Sequence, residues 1–244
     1  MQISEYDFDV IKVFKAGFSR INGIKQPFVL AFLAYIIIAI LLQTILGLFF
    51  PSTPENPSVI NQQIVVILSY PVLVPILVGI MMMAIKNGRD SSKTLELKEI
   101  FSYYAFAGTL SMASLLMYMI TMFIPIMILL FPESIIALAD GTLGSFAMIV
   151  VLFLLLAVVM YLSIAYIFTL PLIVDKGLGA WEAMELSRKA VSVRFGKITW
   201  IVTLLSIVAF GGVLSFGIGL IWAIPLFFVT MYGMLYNNIF EEEI

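Results

Sequence analysis

All 13 Lys and Arg residues of this 244-residue chain fall in three short stretches, at positions 12–25, 86–98 and 176–197. Between them lie long runs of Leu, Ile, Val, Phe, Met and Ala. Each run is long enough to cross a hydrocarbon layer of about 30 Å as a helix of about 20 residues. Hydrophobic residues make up 62% of the chain and charged residues 11%; soluble domains sit near about 45–50% and about 25%. A 27.2 kDa soluble protein exposes too much surface to cover it with so few polar groups. The mean hydropathy of +1.13 agrees. The chain reads as an all-α integral membrane protein forming one membrane domain over residues 1–244.

Six transmembrane helices are expected. Phe28–Phe50 ends at a Pro-rich loop, Ile64–Ile85 ends at Lys86-Asn87-Gly88-Arg89-Asp90, and Ala105–Phe131 ends at Pro132-Glu133. Leu143–Val174 exceeds one crossing, which predicts tilt, protrusion or a kink near Pro171. Ile198–Ile239 is too long for one crossing at about 1.5 Å per residue. Its Gly-rich centre predicts two helices joined near Gly217–Gly219, with one long kinked helix or a re-entrant pair as the alternative.

Basic residues in short loops stay cytoplasmic. The loops at 51–63 and 132–142 carry none, although they carry Glu55, Glu133 and Asp140. This bias predicts both chain ends inside. Residues 1–26 are polar and mixed in charge, so no signal peptide is expected to open the chain.

Each basic stretch also carries an apolar stripe of helical period. Val10, Val13, Phe14, Gly17 and Ile21 form the first, behind a capping box at Ser4–Asp7. Leu97, Ile100, Phe101 and Tyr104 form the second, with Thr94 as its cap. The third runs from about Ala180 to Val193; Ala183, Met184, Val191 and Phe195 lie on one side, and Glu182, Glu185, Arg188 and Lys189 on the other. Amphipathic interfacial helices on the cytoplasmic side are therefore expected before spans 1, 3 and 5. The layout suggests three units, 8–85, 95–174 and 180–237, arising by duplication or by convergence on the same need for interfacial linkers.

With no Cys and no His, disulfides, thiolate or imidazole metal sites and Ser-His-Asp chemistry are excluded. No cofactor, metal, catalytic residue or nucleic-acid partner is expected. Trp181, Arg188, Lys189, Arg194 and Lys197 form a candidate surface for lipid headgroups or a partner protein; the same residues also serve as interfacial anchors. Within the spans, Gln43 is expected to face another helix, for packing or for a solute. Pro71, Pro75 and Pro171 are candidate kinks, and Asp175 sits at the inner end of the fourth span. Gly211, Ser215 and Gly219 make a small-residue row suited to close helix contact.

Pro171-Leu172-Ile173-Val174-Asp175-Lys176-Gly177, followed by Ala180-Trp181-Glu182-Ala183 and Ser187-Arg188, resembles a broad group of uncharacterised bacterial inner-membrane proteins. One branch of that group is the membrane domain fused to some glycerophosphodiester phosphodiesterases. The ending Tyr236-Asn237-Asn238-Ile239-Phe240 is similar to a Tyr-Arg-Asp-Ile-Phe ending there, with Asn at both charged positions. The resemblance implies a multi-pass protein of the bacterial cytoplasmic membrane and imports no activity. The expected function is a non-enzymatic accessory, assembly or envelope-homeostasis role, with membrane lipids and other inner-membrane proteins as partners. The alternative is a transporter or channel for a neutral or lipid-like solute. Reporter fusions after Ser58, Leu138 and Ile218 are expected to read outside, and fusions after Arg89, Gly179 and Glu243 inside; an outside signal at Glu243 would leave five spans.

Overall fold

A computed structural model describes residues 6–52, 58–92, 95–130 and 141–240. It is all-helical, and six helical stretches are long and apolar enough to cross a membrane: Gly23–Phe49, Val59–Arg89, Leu97–Met122, Gly144–Lys176, Phe195–Leu214 and Leu220–Phe240. The expected caps at Ser4–Asp7 in part, Thr94, the end of the third span at Phe131–Glu133 and the acidic tail lie outside the described residues.

Helix α1 spans Val10–Phe49, 40 residues without a break. The first amphipathic stretch is thus the start of the same helix as span 1. A change of side-chain character from mixed to apolar does not by itself end a helix. Pro27 is accommodated inside it, and the cap is Asp9, whose carboxylate accepts from the amides of Ile11 and Lys12. Helix α2 covers Val59–Arg89, capped by Ser58, and stays continuous through Pro71 and Pro75. Pro71 is exposed and Pro75 is buried. The second stripe is two 3₁₀ turns, Leu97–Phe101 and Tyr104–Phe106, leading into α3 at Ala107–Leu130. Only Ile100 of that stripe is fully buried. It lies so close to Gly79 of α2 that a methyl group there would strike the Ile100 backbone.

The fourth span is two helices, α4 at Gly141–Ala165 and α5 at Thr169–Lys176. Pro171 cannot donate to the carbonyl four residues back, that of Ile167, and the backbone tightens into a 3₁₀ turn just upstream. Helix α6, Ala180–Val193, supplies what the break leaves unmade. The buried Ser187 hydroxyl accepts from the Phe168 amide at 3.2 Å and donates to the Ala165 carbonyl at 2.8 Å. The Tyr232 hydroxyl donates to the Ile167 carbonyl at 3.3 Å. Irregular backbone at membrane depth survives only where protein satisfies it in this way.

Helix α7, Phe195–Leu214, turns at Ser215–Gly219 into α8, Leu220–Phe228, so the long apolar block is two helices. Phe216 and Gly217 take positive φ of 55° and 81° in the turn. The close approach is between Gly212 and Gly219, where an added methyl on Gly219 would come within 2.6 Å of the Gly212 Cα; Gly211 faces open space. Ser215 ties the turn, donating to the Gly212 carbonyl and accepting from the Gly219 amide. The small residues thus serve the hairpin's own turn. After α8 the chain widens into a π-helix, Val229–Tyr236, and ends its described part in α9, Asn237–Phe240.

The core lies between the second and sixth spans. Half of the second span's apolar stretch and 67% of the sixth's are buried, against 6% for the first and the fourth. Helix α2 and the π-helix meet through glycines: Gly88 has no room for a methyl beside Gly233 and Asn237. Between helices in lipid, attraction comes from such close packing rather than from hydrophobic exclusion. Gly88→Ala is therefore expected to destabilise the bundle, while Gly108→Ala, which meets nothing, leaves it unchanged. Ser187→Ala strands the Phe168 amide at a cost of about 1–3 kcal/mol. Ser192→Ala removes only an exposed bond to its own turn. Unfolding in mixed micelles should separate the two pairs.

Candidate functional site: a polar cluster at the ends of six spans

The basic stretches converge at one end of the bundle. Arg89, the last residue of α2, makes two parallel hydrogen bonds to Asp175 of α5, at 2.7 and 2.8 Å. The Asp175 side chain is only 8% exposed, and Tyr236 donates to its Oδ2 at 2.9 Å. Two planar forks matched in this way form a strong ion-pair geometry. Three donor atoms thus hold Asp175, two from Arg89 at the end of the second span and one from Tyr236 near the end of the sixth.

Further side chains bind the same end. Arg20 of α1 donates to the carbonyls of Asn87 and Gly88, both at 3.2 Å. A cation there complements the negative end of the α2 dipole. Buried Asn237 donates to the carbonyls of Ile85 and Gly233, each at 3.0 Å. Lys86 pairs with Glu99 at 2.9 Å, which joins α2 to the 3₁₀ turn ahead of α3.

The third contact group seats the N-terminal segment. The Tyr6 hydroxyl donates to the Ala190 carbonyl at 2.8 Å. Arg194 donates to the Tyr6 carbonyl at 3.1 Å and pairs with Asp7 at 3.2 Å. Lys197 pairs with Asp7, donates to the Phe8 carbonyl at 2.9 Å and lies over the Phe8 ring. Burial pushes the Tyr6 phenol up to about 12, against the opposing pull of Arg194, so it stays a neutral donor. The hydrogen bond from Lys197 is the main cause holding the Asp7 carboxyl below its usual range.

The five residues of the candidate surface therefore separate. Trp181 is exposed on the outer side of α6, where with Leu178, Glu182, Glu185, Leu186 and Lys189 it lines a shallow groove of about 350 Å³. Arg188 and Lys189 both pair with Glu185, at 2.9 and 3.3 Å, and the Arg188 bond holds that carboxyl below the usual glutamate range. Arg194 and Lys197 are engaged with the N-terminal segment, beside Asp7. Every cation of the patch has a carboxylate from this chain. The inward face of α6 (Ala183, Met184, Leu186, Ser187, Ala190, Val191) is buried against α3, α4 and α5.

The membrane-embedded candidates separate too. Pro171 lies in the first turn of α5, at the break, and Asp175 lies at the far end of that helix. Gln43 does not face another helix of the bundle; its side chain is exposed on the outer side of α1. It sits on a span of which only 6% is buried, because α2 and the last span occupy the centre instead.

Arg89, Tyr236, Ser187, Asn237 and Tyr6 were not foreseen as partners. One signal existed for the first of them. Asp175 is the acidic residue that closes a span, and such a group requires a counter-charge from another span end; Lys86 and Arg89 were the nearest cations by topology. No family model matches the chain, and neither a curated protein nor a solved structure shows significant similarity to it.

The depressed Asp7 carboxyl sets a pH dependence. Its stabilising pairing is complete above the ordinary aspartate value near about 4 and is lost as pH falls through the lower folded value. Amide exchange of the segment at Tyr6–Asp9 is expected to accelerate on acidification below about pH 4, after correction for the intrinsic rate. Asp7→Asn should give the fast exchange already at neutral pH. Equal protection in the variant and the parent at neutral pH would show that the pairing does not hold the segment.

Proposed function

We propose that the protein is a non-enzymatic, multi-pass accessory or assembly factor of the bacterial cytoplasmic membrane, with both chain ends inside. It acts through helix packing and the inner-leaflet surface around α6. The polar end of the bundle is the inner end in this reading, as the basic-loop rule requires. The observation that carries the proposal is the use made of the polar groups. Arg20, Lys86, Arg89, Asp175, Tyr236 and Asn237 all bond across helices of this chain. Arginine and carboxylate are spent on joining spans rather than aimed at a reacting centre or an ion path.

The outer side of α6 is then a nearly charge-balanced surface with one exposed Trp, suited to the headgroup layer and to a partner protein lying in it. The resemblance over residues 165–200 to uncharacterised bacterial inner-membrane proteins fits this role and brings no catalytic group.

One observation favours the second reading, transport of a neutral or lipid-like solute. The irregular backbone of the fourth and sixth spans meets face to face, at Tyr166–Phe168 and along Val229–Tyr236. Broken helices of this kind surround substrate sites in many transporters. Here, however, the meeting place is filled by rings. Phe168 lies against Tyr232, Tyr236 and Phe240 with centroids 6.3, 5.9 and 5.7 Å apart. Rings occupying this place support a scaffold.

The two readings part in reconstituted vesicles and in native membranes. The purified chain in liposomes is expected to drive no solute uptake from a proton gradient. A photoreactive residue replacing Trp181 in native membranes is expected to give a discrete protein adduct, absent when the reactive residue sits at Ala183 on the buried face. Proton-driven uptake, lost in Asp175→Asn with folding intact, would overturn the proposal in favour of transport.

A further inference from the structure

The outer face of α1 carries a polar group that nothing in the described structure satisfies. Gln43 lies within the span Gly23–Phe49, about 9 Å of helix rise before its end. Its amide is exposed and has no hydrogen-bond partner among the described residues. Its neighbour Thr44 shows what a short side chain does in that setting: the hydroxyl donates to the Ile40 carbonyl at 2.8 Å. A Gln amide, with two donors and an acceptor, makes no such complete local closure. Acyl chains offer it neither donor nor acceptor, and a bare amide in hydrocarbon is costly.

The surroundings of Gln43 suit a helix rather than lipid. On a 3.6-residue period, Leu33, Ile36, Ile40, Gln43 and Gly47 form one narrow stripe along α1. Leu33, Ile36 and Ile40 are exposed. Nothing lies within 4 Å of where a Gly47 side chain would begin, so the backbone there is open to close approach one turn from the amide.

We propose that this stripe is the interface of a symmetric dimer, in which a second copy of the chain bonds amide to amide at Gln43. The choice of a second copy follows from two features. A primary amide is self-complementary, giving a donor and taking a donor from its twin. A copy inserted in the same direction also brings its own Gln43 to the same depth, related by a two-fold axis along the membrane normal. That is the isologous arrangement most oligomers use. The proposal is independent of the accessory-factor reading.

The chain contains no Cys, so single-cysteine variants report proximity without background. In native membranes under mild oxidation, Ile36→Cys and Ile40→Cys are expected to form disulfide-linked dimers. Leu41→Cys, Ile45→Cys and Leu48→Cys, also exposed but on the other side of α1, are expected to stay monomeric. Adding Gln43→Leu to Ile40→Cys should lower the linked fraction about threefold or more, the loss that an interhelical hydrogen bond of about 0.6 kcal/mol or more corresponds to. Gln43 is exposed, so this change leaves the monomer fold intact; an unchanged helical circular-dichroism spectrum of the monomer in detergent checks it. Cross-linking spread evenly around the helix, its absence at positions 36 and 40, a linked fraction unaffected by Gln43→Leu, or adducts at these positions made solely with a different protein would each overturn the dimer.

Discussion

Arg89 and Asp175 stand at the ends of two apolar helices, where each alone would draw water and headgroups into the bundle. Placed against each other as two matched forks, they neutralise one another while the buried Tyr236 hydroxyl also donates to the carboxylate. Desolvating a charge is expensive, and only good geometry with additional hydrogen bonds recovers it. Both conditions hold here. Much of the bundle's polar end is organised around this junction: Arg20 closes the α2 carbonyls next to it, and Asn237 holds the π-helix to α2 one turn away. The second span thereby becomes a hub that the first, third, fourth and sixth all grip at one end.

The fourth span depends on the same economy of polar groups. Pro171 breaks it, and a break in lipid exposes backbone that must be bonded. Helix α6 returns across the bundle end to place Ser187 between Ala165 and Phe168, while Tyr232 takes the Ile167 carbonyl. The buried side of α6 thus does backbone repair, and its outer side, with Trp181, stays exposed. This explains why a short amphipathic helix keeps a buried Ser in an otherwise apolar face.

Much of this fold is legible in the sequence. Long apolar runs show six spans because lipid leaves a helix no other solution for its length. Gly217 and Gly219 show the last hairpin, the first because its positive φ favours glycine and the second because Gly212 lies against it. The 180–193 helix was visible in its period. Three things were not. The stripe at 10–21 merges with span 1, since amphipathicity describes a helix face and says nothing of where the helix ends. The stripe at 97–104 folds as 3₁₀ turns, with Ile100 set close against Gly79. The partners of Asp175, Ser187 and Tyr6 lie 61, 19 and 184 residues or more away in sequence, and a single sequence has no local signal for such pairings. The pairing of the basic residues at 188–197 was not legible either, because their carboxylates, Glu185 and Asp7, come from the helix's own turn and from the far end of the chain.

A double-mutant cycle across the ion pair tests the account at its centre. Arg89→Gln, Asp175→Asn and the double variant would be compared by reversible unfolding in lipid nanodiscs. Each single change should destabilise the bundle, and the double change should cost no more than the worse single one. The coupling should be about 1–3 kcal/mol, towards the low end because Arg89 is 31% exposed to screening. Additive losses, with a coupling near zero, would show that the two residues merely lie together and that the spans are held by packing alone.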